Sequence, residues 1–304
     1  MNLDGRWLIR NNTQMSFVRC GFAVLLGILF GMARPTTACA ATIRDDEPDS
    51  IYVTLGNDPA FASVGTLVNS WGYTGCGILI APDWVLTAAH LFVAASSATF
   101  TIGGTTYTST QLFTDPGWDG NASDGSDFGL VHLSSSLTAI PPPLLYAGSS
   151  LLGQTGTFVG YGFTGTGLTG WRTLDGQKRG FQDVVDVNNQ YFGNTNSVFG
   201  ATFESPASGS ALTLEGCVAP GDSGGGVFVT DGSQYYLAGV ISFVASTNGN
   251  ANSTYGNISG FDSISAAMPW IIATVPEPST FTMVAASGLA LLWAQKCRRI
   301  EKKN

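Results

Sequence analysis

Basic side chains are almost missing from the middle of this chain. Between residues 41 and 276 only Arg44, Arg172, Lys178 and Arg179 are basic, against eighteen acids. That segment therefore carries about −14, although the whole chain sums to −8. A field of that sign repels phosphate backbones and anionic lipid, which argues against nucleic acid as a partner. Histidine is equally scarce, with only His90 and His132. Two histidines and isolated acids make no metal-ligand spacing, so no metal or other cofactor is expected. Cysteine is sparse in the same segment, where Cys76 and Cys217 stand alone. They permit one disulfide in an oxidising compartment, but the sequence does not say whether they meet. Long amphipathic helical patterns are missing, and no repeat period marks a propeller or solenoid.

Both ends read as addresses. Residues 1–40 hold Arg19, the apolar run Gly21–Phe30 and then Ala38-Cys39-Ala40. A charged leader, a short apolar core and a small-x-small site predict a secretory signal peptide cut after Ala40, with Met15 as an alternative start. At the other end, Val275-Pro276-Glu277-Pro278-Ser279-Thr280 precedes an apolar stretch from Phe281 to Ala294 and a basic cluster from Lys296 to Lys303. This order of parts over residues 275–304 resembles the PEP-CTERM sorting tail of Gram-negative bacteria. The resemblance implies an exosortase as a processing partner beside signal peptidase. It also implies export to the envelope or beyond, with a membrane tether before the tail is removed. A plain C-terminal membrane anchor is the alternative.

Residues 41–274 are long enough for one large all-β domain or two small ones. Short apolar or alternating runs recur between Gly, Pro, Asn and Asp: Gly77–Ile80, Trp84–Thr87, Ala98–Ile102, Gly129–Leu133, Thr157–Gly160, Gly226–Val229 and Tyr236–Phe243. That spacing predicts a β-barrel or sandwich. One helix is expected, at about 268–274, with Pro269 in its first turn. Ala139-Ile140-Pro141-Pro142-Pro143 reads as a stiff link between two β modules.

Gly221-Asp222-Ser223-Gly224-Gly225-Gly226 is the most informative stretch. Glycines leave backbone N–H groups unshielded and permit a sharp turn, which can aim two amides at a developing oxyanion. A serine hydroxyl needs a base, and the base needs an orienting group. Thr87-Ala88-Ala89-His90 supplies the first, and Asp127, directly before the apolar run Gly129–Leu133, supplies the second. Asp124 competes with Asp127 for that role, and His132 alternates with strand residues and reads as structural.

Taken together, Cys76-Gly77, Trp84–His90, Asp127–Val131, Gly160-Tyr161-Gly162, Gly221–Gly226, Gly239–Phe243 and Trp270-Ile271 resemble, in order, the landmarks of trypsin-like (chymotrypsin-fold) serine proteases. The resemblance implies two packed antiparallel β-barrels, at about 51–140 and 144–265, with a short closing helix at the C-terminal end. It implies a secreted endopeptidase acting on polypeptide, with Ser223 as nucleophile, His90 as base and Asp127 as orienter. The N–H groups of Gly221 and Ser223 would form the oxyanion hole. Ser242 and Phe243 would line the substrate cleft.

Three positions depart from the family. Leu91 stands where a cysteine usually bridges the one at Cys76. The usual Ile-Val-Gly-Gly activation sequence is missing, so a terminus near 41–43 is expected to pair with Asp222. Cys217 stands where trypsins carry an aspartate, and Val244 where glycine is common. A neutral floor and a branched wall imply cleavage after small or medium apolar residues. The competing reading is a catalytically silent binding module of the cell surface or matrix. Esterase activity of the same site is a third.

Overall fold

The computed structural model describes residues 41–148, 150–188, 197–246 and 249–276. The leader and most of the tail lie outside these residues. Among the described residues no helix is long and apolar enough to cross a membrane.

The first barrel is closed, in the order β2 (Val64–Asn69), β3 (Thr74–Ala81), β4 (Trp84–Thr87), β7 (Gly129–Leu133), β6 (Thr105–Thr114) and β5 (Ala98–Ile102). Alternation makes the barrel. In β5, Ala98, Phe100 and Ile102 point inward while Thr99 and Thr101 are only part-buried. The two-residue period of a strand puts these sets on opposite faces. Leu67, Ile78, Val85, Phe100 and Leu130 are fully buried in the core they build.

Residues 134–143 contain no helix or strand and lead to β8 (Leu144–Leu145). The second barrel runs β9 (Thr155–Gly160), β12 (Arg179–Asn188), β13 (Val198–Thr202), β17 (Asn257–Ser263), β16 (Gln234–Ser246) and β15 (Gly226–Asp231), and β15 pairs back onto β9. Phe158 stacks on Phe181 at 4.7 Å and meets Phe261 edge-on at 5.6 Å, which fills its centre. A smaller sheet places β1 (Thr42–Ile43) between β10 (Thr164–Thr166) and β14 (Gly216–Cys217), with β11 (Gly170–Thr173) outermost. The all-β architecture of two antiparallel barrels is thus the one expected.

Helices differ from the expectation in two places. A helix α1 spans Asp49–Gly56, where none was foreseen. It has no side-chain N-cap bond, and β-branched Ile51, Val53 and Thr54 weaken it locally. Tertiary contacts make it: Tyr52 is fully buried, and Arg179 reaches Asp49 through bonds of 2.6 and 2.8 Å. Residues 51–56 therefore belong beside β12 of the second barrel, and the first barrel begins at Val64 rather than at about 51. The closing helix, α2, starts at Ile264 rather than 268, so Pro269 falls inside it. The buried faces of Ile264, Ala267 and Ile271 hold it in place despite the backbone bond that proline removes.

Arg179 is 2% exposed and is bound by both Asp49 and Asp175. Removing both acids leaves a buried guanidinium without compensation, which costs about 3–5 kcal/mol. The double change Asp49→Ala/Asp175→Ala is expected to lower urea stability by that order. A loss below about 1 kcal/mol would show that the cluster is not a clamp.

Candidate active site

The histidine and aspartate are brought together by strand register. Thr87 at the end of β4 pairs with Gly129 at the start of β7. Chain leaving β4 and chain entering β7 therefore run side by side. A 3-10 turn over Ala89–Phe92 presents His90 there. The His90 N–H donates to Asp127 Oδ1 at 2.8 Å, and His90 Nδ1 lies 2.6 Å from Asp127 Oδ2. With Asp127 ionised, Nδ1 carries the proton and Nε2 is left as an acceptor. Asp127 is fully buried, and the Ser242 hydroxyl donates to the same Oδ2 at 2.5 Å. Asp124 does not take this place; it borders a separate cavity of about 740 Å³ with Asp115 and Ser126. His132 stacks on Trp84 at 4.7 Å and meets Thr110 at 2.9 Å, a structural setting.

The histidine turn has a replacement for the bridge that Leu91 cannot make. Asn69 Nδ2 donates to the Leu91 carbonyl at 2.7 Å, and Trp71 Nε1 to the Ala94 carbonyl at 2.8 Å. Cys76 and Cys217 are both free thiols. Cys76 instead donates to the Gly221 carbonyl at 3.2 Å and accepts the Tyr161 N–H at 3.2 Å. Burial pushes its pKa well up, so it stays a neutral thiol.

The serine lies on a turn that crosses the barrel seam. Cys76 N–H on β3 donates to the Ser223 carbonyl at 2.7 Å, while Gly224 N–H reaches Ile241 on β16 at 2.8 Å. Gly221 and Gly224 have φ of +91° and +81°. A Cβ on Gly224 would come within 2.2 Å of both the Cys76 carbonyl oxygen and Thr87 Oγ1. Only glycine fits there. Ser223, Gly221 and His90 line one cavity of about 600 Å³.

Asp222 is buried beneath this turn. Its Oδ2 accepts N–H bonds from Ala41 at 3.0 Å and Ala219 at 2.9 Å, and its Oδ1 accepts one from Gly162 at 2.8 Å. Burial raises its pKa to about 6, with the three N–H donors pulling the other way.

A second cavity of about 220 Å³ adjoins Ser223. Val218, Ala219, Ile241, Val244 and Ala251 give it apolar walls, and Ser242 and Phe243 border it too. Cys217 is fully buried on β14 and does not line it; the wall begins one residue later, at Val218. The Ser259 hydroxyl sits 3.5 Å from the Cys217 sulfur.

Asp262 was not foreseen. It lies fully buried on β17, and its Oδ2 accepts the Asp127 N–H at 2.8 Å. Its Oδ1 has no hydrogen-bond partner among the described residues. Burial first, and the neighbouring charge of Asp127 second, push its pKa well above the carboxylate range. Both causes favour the neutral carboxyl at Asp262. No sequence signal marks it: β17 reads Asn-Ile-Ser-Gly-Phe-Asp-Ser, a strand of mixed polarity.

Among the described residues no group of three His, Cys, Asp or Glu side chains is placed to hold a metal.

The sequence model of the family described as Trypsin matches residues 56–271. The chain is 30% identical to chymotrypsin-like elastase family member 1 of Rattus norvegicus over 224 residues, covering 66% of this chain and 79% of that protein. It is 30% identical to the Bos taurus protein of the same name over 225 residues, covering 67% and 79%. Identity to chymotrypsin-like elastase family member 3B of Macaca mulatta is 30% over 241 residues, covering 68% and 84%. This chain belongs to the trypsin family of serine proteases.

A raised carboxyl pKa favours folding fully below the unfolded value and loses that contribution as pH rises toward the folded value. Asp262→Asn removes the titration and keeps the shape. Its stability relative to the parent chain is expected to climb between pH 4 and pH 7, by up to about tenfold in the folding equilibrium per pH unit. Paired chemical-denaturation curves at several pH values check this, and a difference that stays flat would contradict a buried neutral Asp262.

Proposed function

We propose that this protein is a serine endopeptidase working through Ser223, His90 and Asp127. The observation that carries the reading is the 2.6 Å pairing of His90 Nδ1 with a buried Asp127, on a cavity that Ser223 also lines. His90 Nε2 takes the Ser223 proton as the hydroxyl attacks the carbonyl carbon. Asp127 holds the tautomer and stabilises the imidazolium. The N–H groups of Gly221 and Ser223 take the oxyanion; such donors are worth about 3–4 kcal/mol each. Collapse of the tetrahedral intermediate returns the proton from His90 to the leaving amine and leaves an ester on Ser223. Water then repeats the cycle and frees the enzyme.

Side-chain selection follows from the 220 Å³ cavity. It is small, and Val244 and Val218 narrow it with branched walls. Small or medium apolar residues fit before the scissile bond. Lys and Arg do not, because the lining residues carry no acid to pair with them.

Activation is read from Asp222. Signal-peptide removal after Ala40 would create an ammonium group at Ala41, whose nitrogen is 3.0 Å from Asp222 Oδ2. That charge offsets the burial cost of the carboxylate and fixes the turn carrying Gly221 and Ser223. Export by this leader, and trimming of the 275–304 tail by an exosortase, complete the proposal. Those segments lie almost wholly outside the described residues.

A fluorophosphonate probe is expected to label the processed chain and not Ser223→Ala. Absence of labelling on a chain beginning at Ala41 would favour the silent binding module. Blocking the Ala41 amine by acetylation, or retaining Ala40, is expected to lower kcat/KM about 100-fold through the oxyanion turn. Equal peptidase rates for blocked and free termini would remove the activation proposal while leaving the triad reading intact.

A further inference from the structure

Trp71, Tyr73 and Val93 are 66%, 66% and 65% exposed. Large apolar side chains exposed this far, and gathered on one cavity, are unusual on a soluble domain. All three line the 600 Å³ groove that also holds His90 and Ser223. The groove contains no acidic residue, although the 41–276 segment is strongly acidic.

The turn carrying Trp71 and Tyr73 is held in place. Asn69 Oδ1 accepts the N–H of Trp71 at 2.9 Å and of Tyr73 at 3.1 Å, which fixes the turn between β2 and β3. The Trp71 indole is tied to the Ala94 carbonyl. The turn backbone and the Trp71 indole are therefore preorganised, and ordering them on binding costs little.

The chemistry of the site gives the groove its occupant. His90 must protonate the leaving amine, so the leaving half of a substrate lies on the side of His90. The 220 Å³ cavity does not include His90, and it shares Pro220 and Ser223 with the groove. A polypeptide crossing Ser223 puts its acyl half in the small cavity and its leaving half along Trp71, Tyr73 and Val93. We infer that this groove selects polypeptides carrying an aromatic or large apolar side chain within the first few residues after the scissile bond. The inference rests on the peptidase reading above. It makes the enzyme selective on both sides of the bond, for a small residue before it and a bulky one after it.

The test uses internally quenched peptides that share one acyl half and carry Phe, Leu, Gly or Asp after the bond. A p-nitroanilide with the same acyl half serves as a substrate with no leaving residues. The Phe peptide is expected to exceed the Gly peptide about tenfold in kcat/KM. Trp71→Ala and Tyr73→Ala are each expected to bring that ratio toward one. A purely structural role would lower both peptides equally and leave the ratio in place, which would overturn the inference. Cleavage of the anilide together with indifference to the leaving residues would overturn the groove and spare the peptidase reading. Failure on every substrate would remove both. A dimer that Trp71→Ala converts to monomer in sedimentation would assign the groove to a second copy instead.

Discussion

The structure turns on one buried carboxylate. Asp127 enters from the first barrel, yet two of its partners stand on the second: the Ser242 hydroxyl donates to its Oδ2, and Asp262 accepts its N–H. A charge in that position is costly unless its lone pairs are filled. Here the fillings are the histidine ring, the histidine N–H and the serine hydroxyl, so satisfying the charge also locks the two barrels and the ring tautomer together. Asp262 contributes an acceptor for the Asp127 N–H. Two ionised carboxylates that close repel each other, so the neighbouring Asp127 favours the neutral form of Asp262.

The serine turn obeys a similar logic. Its carbonyl at Ser223 is fastened to β3 and its amide at Gly224 to β16, while Asp222 anchors the base of the turn through three N–H donors. Glycine at 224 lets the turn press against the first barrel. The free Cys76 thiol sits beside the Gly221 carbonyl, and Asn69 holds the histidine turn. No covalent bridge ties Cys76 to the histidine turn: Asn69 at the end of β2 holds that turn, and Cys76 bonds to the serine turn instead.

Much of this is legible in the sequence, for a physical reason. A turn that needs two glycines with positive φ, and a histidine projecting from a packed strand end, restrict residue types locally. Hence Gly221–Gly226 and Trp84–His90 stand out. The strands are legible through alternation. What escapes is set by distant contacts. Helix α1 has no strong pattern of its own and depends on Arg179, which comes 130 residues after Asp49. Asp262 looks like any acid until its complete burial is seen. Cys217 sits one residue short of the cavity wall, an offset that spacing alone does not resolve. Nothing local in the sequence marks Trp71 and Tyr73 as residues that remain in solvent.

The central claim is that Asp127 and His90 jointly activate Ser223. The most direct measurement is the second-order rate of Ser223 phosphonylation by a fluorophosphonate in Asp127→Asn against the parent chain at neutral pH. An asparagine at 127 offers an amide where Nδ1–H needs an acceptor, favouring the wrong tautomer, and the account predicts a fall of about 10⁴-fold. A rate within a few-fold of the parent would contradict it.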